Sequence, residues 1–234
     1  MTLLTVVKDV CATVGVAVPQ SVFSNINSNR TMQEMLSLAN EMAQRIAYDT
    51  RDWTMLRKSN LIVGDGVETG FPLPANFKRM LLTTSVRRVD NPVQPLEFVP
   101  DLDDWQLRYL TNTGLNSNGE WIINGGSIYI RPTLPVGAQV HYTYLDKNCI
   151  KLNSGGHGDA FLADLDTFAL DERVLKLAVI WQWKAQKGSP YAEDMGTYGD
   201  ALTYAMGHDS PSPIMLDRKP ISAATRYAYP WALP

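Results

Sequence analysis

The chain has 234 residues, 45% hydrophobic and 19% charged, a balance that supports a buried core and excludes disordered and fibrous classes. The formal net charge of −3 gives no overall attraction for a polyanion, so nucleic acid is not expected as the main partner. Cys11 and Cys149 belong to no CxxC or Cys/His cluster and read as buried thiols in a reducing compartment. No apolar run is long enough to predict a membrane span and no leader pattern predicts export, so folding in a cytoplasm is expected.

Helical spacing of Leu3, Leu4, Val7, Val10, Cys11 and Val14 predicts a first helix, ended by Gly15 and Pro19. A second amphipathic helix is predicted over about 31–49. Thr31 and Glu34 have the spacing of a capping box, and Met32, Met35, Leu36, Ala39, Met42, Ala43 and Ile46 fall on one stripe.

The texture changes near Trp53. From 53 to 155 the chain is rich in β-branched and aromatic residues, with strands predicted at 61–63, 80–89, 96–99, 121–123, 127–130 and 139–145. Asp65-Gly66, Asn91-Pro92, Asn124-Gly125-Gly126 and Pro135-Val136-Gly137 carry turn chemistry, and the third of these predicts a tight hairpin. Residues 101–110 suit a short inserted helix.

Gly155-Gly156-His157-Gly158 marks the exit from the β-rich part. Asp171 is expected to cap a third helix with Val174, Leu175, Ala178, Trp181 and Ala185 inward. Gly188 is the expected stop, and Pro190 suits the first turn of a fourth helix over about 191–206. Tyr191, Met195, Tyr198, Leu202 and Ala205 would form its inner side. The remainder holds Pro211, Pro213, Pro220, Pro230 and Pro234 but also Ile214, Met215, Leu216, Tyr227, Tyr229 and Trp231. Solvated tails are poor in such apolar residues, so this stretch reads as an extended arm that packs on a partner or on its own domain.

The order predicts an α+β fold: a helical bundle of about four helices, an inserted antiparallel β barrel or sandwich, and an extended C-terminal arm. The expected limits are 1–52 with 156–207 for the bundle, 53–155 for the insertion and 208–234 for the arm.

Chemistry-bearing patterns are sparse. His141, His157 and His208 are scattered without metal-ligand spacing. Asp159, Asp164, Asp166, Asp171 and Glu172 form an acidic cluster without EF-hand spacing, read as a solvated loop with helix N-terminal acids. Gly64-Asp65-Gly66 lacks the Lys-Ser/Thr of a phosphate loop. Arg87-Arg88 and Arg218-Lys219 read as salt-bridging pairs. No GxGxxG, Walker A, GxSxG or HExxH motif occurs. No catalytic residue, cofactor or metal is therefore expected.

Several segments resemble the head-to-tail adaptor (connector) proteins of tailed bacteriophages. They are Leu3-Leu4-Thr5-Val6-Val7, Ala47-Tyr48-Asp49, Asp52-Trp53-Thr54-Met55-Leu56, and Phe71-Pro72-Leu73-Pro74-Ala75-Asn76-Phe77. Ser127-Ile128-Tyr129-Ile130-Arg131-Pro132 is similar to that family's hairpin. Phe161-Leu162-Ala163-Asp164-Leu165-Asp166 precedes Trp181-Gln182-Trp183-Lys184 in the same order as in the family. The likeness covers about residues 1–206. It implies a structural, non-enzymatic subunit of the virion neck, made in the host cytoplasm. Usually twelve copies form a ring that joins the portal protein to downstream tail or neck proteins, and double-stranded DNA passes through the lumen without sequence-specific contact. Within the arm, Arg218, Lys219, Arg226, Tyr227, Tyr229 and Trp231 are the expected portal-binding residues, since aromatic and arginine side chains dominate interface energetics. Two other classes remain open. One is a virion-carried cell-wall hydrolase using Asp164 and Asp166. The other is a carbohydrate- or protein-binding β module using Trp105, Tyr109 and Trp121.

Overall fold

A computed structural model describes residues 1–24, 29–81, 84–111 and 118–209. Among them the chain is mixed α+β, with five α-helices and several mainly antiparallel sheets.

Helix α1 (Leu3–Val14) is capped by Thr2 and closed by Gly15, whose φ of +75° is left-handed. Helix α2 (Arg30–Tyr48) starts one residue earlier than expected. Its cap is Asn29, whose side chain accepts from the Thr31 backbone N–H. Thr31 is therefore inside the helix, and Glu34 closes no capping box. Glu34 pairs instead with Arg30 and Lys187. The apolar stripe of α2 is buried as expected, from Met32 to Ala47, although Leu38 and not Leu36 completes it.

Helix α4 (Glu172–Gln186) is capped by Asp171, whose carboxylate accepts from the Arg173 and Val174 N–H groups. It ends in a Schellman motif: Gly188 N–H reaches Ala185 O, Ser189 N–H reaches Lys184 O, and Gly188 has φ +68°. Helix α5 (Ala192–His208) begins after Tyr191, so Pro190 lies before the helix and not in its first turn. Its expected inner stripe is also corrected. Only Ala205 is buried, while Tyr191 and Met195 are 42% and 50% exposed. Tyr198 and Leu202 pack from the side.

The central helix is α4, which contacts α1, α2 and α5. Val174, Leu175, Ala178, Val179, Ile180 and Trp183 are its buried residues, each large one stabilising the fold by about 1.5–3 kcal/mol. Trp53, Leu56, Leu81, Leu145, Cys149, Ile150, Phe161 and Phe168 join the same hydrophobic cluster. Both cysteines are free and fully buried.

The β-rich part has a second cluster. Strands β1 (Arg57–Val63), β3 (Phe77–Met80), β4 (Arg87–Arg88) and β8 (Gln139–Asp146) form one four-stranded sheet around β8. Strands β2 (Gly70–Pro72), β5 (Glu97–Phe98), β6 (Glu120–Asn124) and β7 (Ser127–Arg131) form another, in which β5 and β6 run parallel. Ile62, Val86, Val140, Tyr142 and Tyr144 of the first sheet share a core with Phe71, Trp121, Ile128 and Ile130 of the second. The Asn124-Gly125-Gly126 hairpin forms as expected, with Asn124 opposite Ser127 and both glycines at positive φ.

The single strand expected over 80–89 is broken. Leu81 packs into the helical cluster and Val86 into the β cluster, so the chain crosses from one core to the other between them. A third, small sheet, β10 (His157–Gly158), β9 (Ile150–Lys151) and β11 (Thr167–Phe168), carries the chain back toward α4.

Strand β1 occupies an edge. Among the described residues it pairs with β8 alone, from Arg57 opposite Leu145 to Val63 opposite Gln139. Short helix α3 (Leu102–Thr111) lies across β6 and has no fully buried residue.

Candidate functional site

Three places gather functional side chains. The first is the 161–166 loop. Asp166 is 1% exposed, and its carboxylate accepts from the backbone N–H groups of Asn153, Leu162 and Ala163 at 2.7–2.8 Å. Asp164 accepts from Val22 N–H, Phe23 N–H and the Ser21 hydroxyl. The carbonyls of the same two residues receive Leu4 and Leu3 N–H, donors that α1 leaves unpaired at its start. Glu172 pairs with the terminal amine of Met1. The expectation of a solvated acidic loop is therefore corrected: Asp164 and Asp166 tie three chain segments together. The Asp166 oxygens are engaged by backbone donors, and those of Asp164 by two backbone N–H groups and the Ser21 hydroxyl. Among the described residues, no group of three or more His, Cys, Asp or Glu is placed to hold a metal.

The second place is the groove of about 960 Å³ between α3 and the β6–β7 hairpin. Glu120 is fully buried and meets Arg131 at 2.8 Å and Arg108 at 3.3 Å. Arg108 also reaches Glu97 and Asp104. The Arg131 guanidinium stacks 3.5 Å from the Trp105 ring centre, with Tyr109 at 5.5 Å, and donates to Trp105 O. Its pKa is pulled down by burial, partly countered by Glu120. Of the three aromatics named for a binding module, Trp121 belongs to the core and stacks on Phe98. Trp105 is half-buried under Arg131, and Tyr109 is 71% exposed.

The third place is where α5 ends. Arg51 donates to Met206 O and pairs with Asp209 at 3.7 Å. The Asp209 carboxylate accepts Thr54 N–H at 3.0 Å, and its carbonyl accepts the Thr54 hydroxyl. Arg51 neutralises the negative end of α5 and satisfies one of its terminal carbonyls. His208 packs edge-on against Tyr204, 4.3 Å between ring centres. Helix α5, expected to end near 206, runs to His208, and Asp209 is fastened beside the first residues of the β-rich part. The expected portal-binding residues Arg218, Lys219, Arg226, Tyr227, Tyr229 and Trp231 lie outside the described residues.

The remaining sequence candidates are accounted for locally. Arg87 donates to Val93 O, and Arg88 pairs with Asp90 at 2.8 Å. That pairing holds the Asp90 carboxyl below its ordinary range. His141 is exposed on the face of β8 opposite Tyr142, and His157 is exposed. The burial of Asp166 and the anchoring of Asp164 were not legible in the sequence. The only clue was the hydrophobic setting of Phe161 and Leu162. The Arg51–Thr54–Asp209 fastening had no sequence signal at all.

No protein-family model matches the chain, and no curated protein matches it. No helix among the described residues is long and apolar enough to cross a membrane.

Proposed function

We propose that this chain is a structural adaptor subunit of a phage neck. In this reading twelve copies form a ring that joins portal to tail, and DNA passes through its lumen. The helical core is then a four-helix bundle, α1, α2, α4 and α5, and the β-rich part is a sandwich inserted into it.

The observation that carries the reading is that the resembling motifs knit the two ends of the bundle. Asp164 and Asp166 hold α1 and the 21–23 turn. Trp53 and Trp183 are buried in the helical core. A rigid block with the final segment fastened at Asp209 suits a subunit that grips a partner ring. Repeated around a closed ring, modest docking of each segment becomes strong avidity. The exposed side of α5, with Tyr191, Met195 and Tyr204, offers a contact surface between neighbouring subunits.

The test is removal of residues 210–234, which keeps Asp209 and its fastening. The shortened chain is expected to fold, since both described cores lie within residues 1–209, and to lose co-purification with the portal protein of the same virion. Undiminished portal binding would sink the proposal. Negative-stain images of the full chain with portal should show a second ring below it.

A carbohydrate- or protein-binding β module is a weaker second reading, favoured only by the exposed Tyr109 at the α3 groove. Arg131 already covers one face of Trp105, the stacking platform such a module would need.

A further inference from the structure

Strand β1 leaves one backbone edge unpaired over seven residues among the described part of the chain. Such an edge is a template for another strand, and proteins normally blunt it with charge, proline or a bulge. Here Arg57 and Lys58 protect only the first half. In the second half Leu61 and Val63 are 47% and 53% exposed, with no charge beside them on the strand. That half needs a cover.

The sequence beyond Asp209 contains one proline-free run of sufficient length, residues 221–229, bounded by Pro220 and Pro230. It alternates with a period of two. Ile221, Ala223, Thr225, Tyr227 and Tyr229 fall on one side, and Ser222, Ala224, Arg226 and Ala228 on the other. β-branched and aromatic residues on one side and small or polar ones on the other are a half-buried strand pattern. The tether also fits. Asp209 is bonded to Thr54, three residues before β1 begins. The eleven residues 210–220, three of them proline, span up to about 34 Å when extended. A seven-residue strand is about 24 Å long, so the run reaches the far end of β1 and can return along it.

We propose that residues 221–229 add to the free edge of β1 in the same chain as a further antiparallel strand, with Ile221 and Ala223 beside Val63 and Leu61 and the tyrosines toward Arg57. The pairing needs no portal. If the chain is a neck subunit, the same pairing keeps Arg226, Tyr227 and Tyr229 on their own subunit until the portal takes them.

Hydrogen exchange of the full chain, measured alone by mass spectrometry, tests this. Amides of 221–229 and of β1 are expected to exchange at least about tenfold more slowly than in a full-length Thr225→Pro variant, because proline removes a ladder donor. That substitution alters no residue of either described core. Val63→Lys, at an exposed edge position, should also release 221–229. Equal exchange in the wild-type and Thr225→Pro chains would overturn the proposal. So would protection of 221–229 that survives Val63→Lys, or that appears only at concentrations where the chain dimerises. Because no portal is present, failure here leaves the neck reading standing, and loss of the neck reading leaves the strand pairing standing.

Discussion

The two hydrophobic cores of this protein are assembled in opposite ways. The helical core takes α1 and α2 from the start of the chain and α4 and α5 from the end, and fastens them across about 150 residues of sequence through Asp164, Asp166 and the Lys187–Glu34 pair. The β core is contiguous, from Ile62 to Tyr144, and is closed by mainly antiparallel ladders, with Glu120, Arg131 and Asp146 as the buried charged residues of its strands. Distant segments need explicit polar fasteners, because hydrophobic contact is non-directional and does not fix which loop meets which helix. Strands take their register from the alternation of buried and exposed side chains and, in the β6–β7 hairpin, from the turn. The buried acid Glu120 of the β-rich part serves a different end: it holds α3 down through Arg108 and Arg131.

The strongest way to break this contrast is Asp166→Ala. Three backbone N–H groups would lose their acceptor inside the protein, at a cost of about 4 kcal/mol. Urea denaturation should show that loss together with faster exchange at the start of α1. A loss below about 1 kcal/mol would mean that the loop is not a fastener.

Glu120→Ala should cost less, about 3 kcal/mol, because Arg108 keeps Glu97 and Asp104 while Arg131 keeps its ring contacts and the Trp105 carbonyl. Its consequences should stay in α3 and the β6–β7 hairpin. In the double variant the two losses should add to within about 0.5 kcal/mol, as expected for sites without shared partners. A larger coupling in denaturation would show that the cores act as one.

The smallest effect concerns Glu34. Its carboxyl is held below the ordinary glutamate range, chiefly by the hydrogen bond from Lys187 and also by Arg30. A group whose folded pKa is depressed stabilises the fold above its unfolded pKa, and that contribution fades as pH falls through the folded value. The melting temperature should therefore drop slightly from about pH 5 toward about pH 3, and Glu34→Gln should reduce that drop without steepening it. An identical acid profile for both proteins would place the α2–α4 linkage elsewhere.

Much of the fold was legible where a local signal sufficed. The α1 and α2 stripes, the Asp171 cap, the Gly188 stop and the Asn124-Gly125-Gly126 hairpin follow from periodicity and turn chemistry, while α4 buries Val179, Ile180 and Trp183 where Trp181 and Ala185 were expected. Errors came where two local signals competed or where partners were distant. Thr31 reads as a cap from its spacing to Glu34, and the structure caps the helix with Asn29 instead. The run from Met80 to Val89 looks like one strand, yet its apolar residues feed two different cores. The stripe of α5 is apolar enough to be buried, but nothing among the described residues covers most of it.

The sequence by itself determined the kinds of element, their order and most of their ends, because caps, turns and periodicities act over a few residues. It also supplied the resemblance on which the neck reading rests. Tertiary structure alone decided what the acids do. A carboxylate in a polar loop looks solvated until the fold shows which backbone donors converge on it, and those donors come from residues up to 142 positions away. It likewise decided how the end of α5 is held, by fastening Asp209 to Thr54 just before β1.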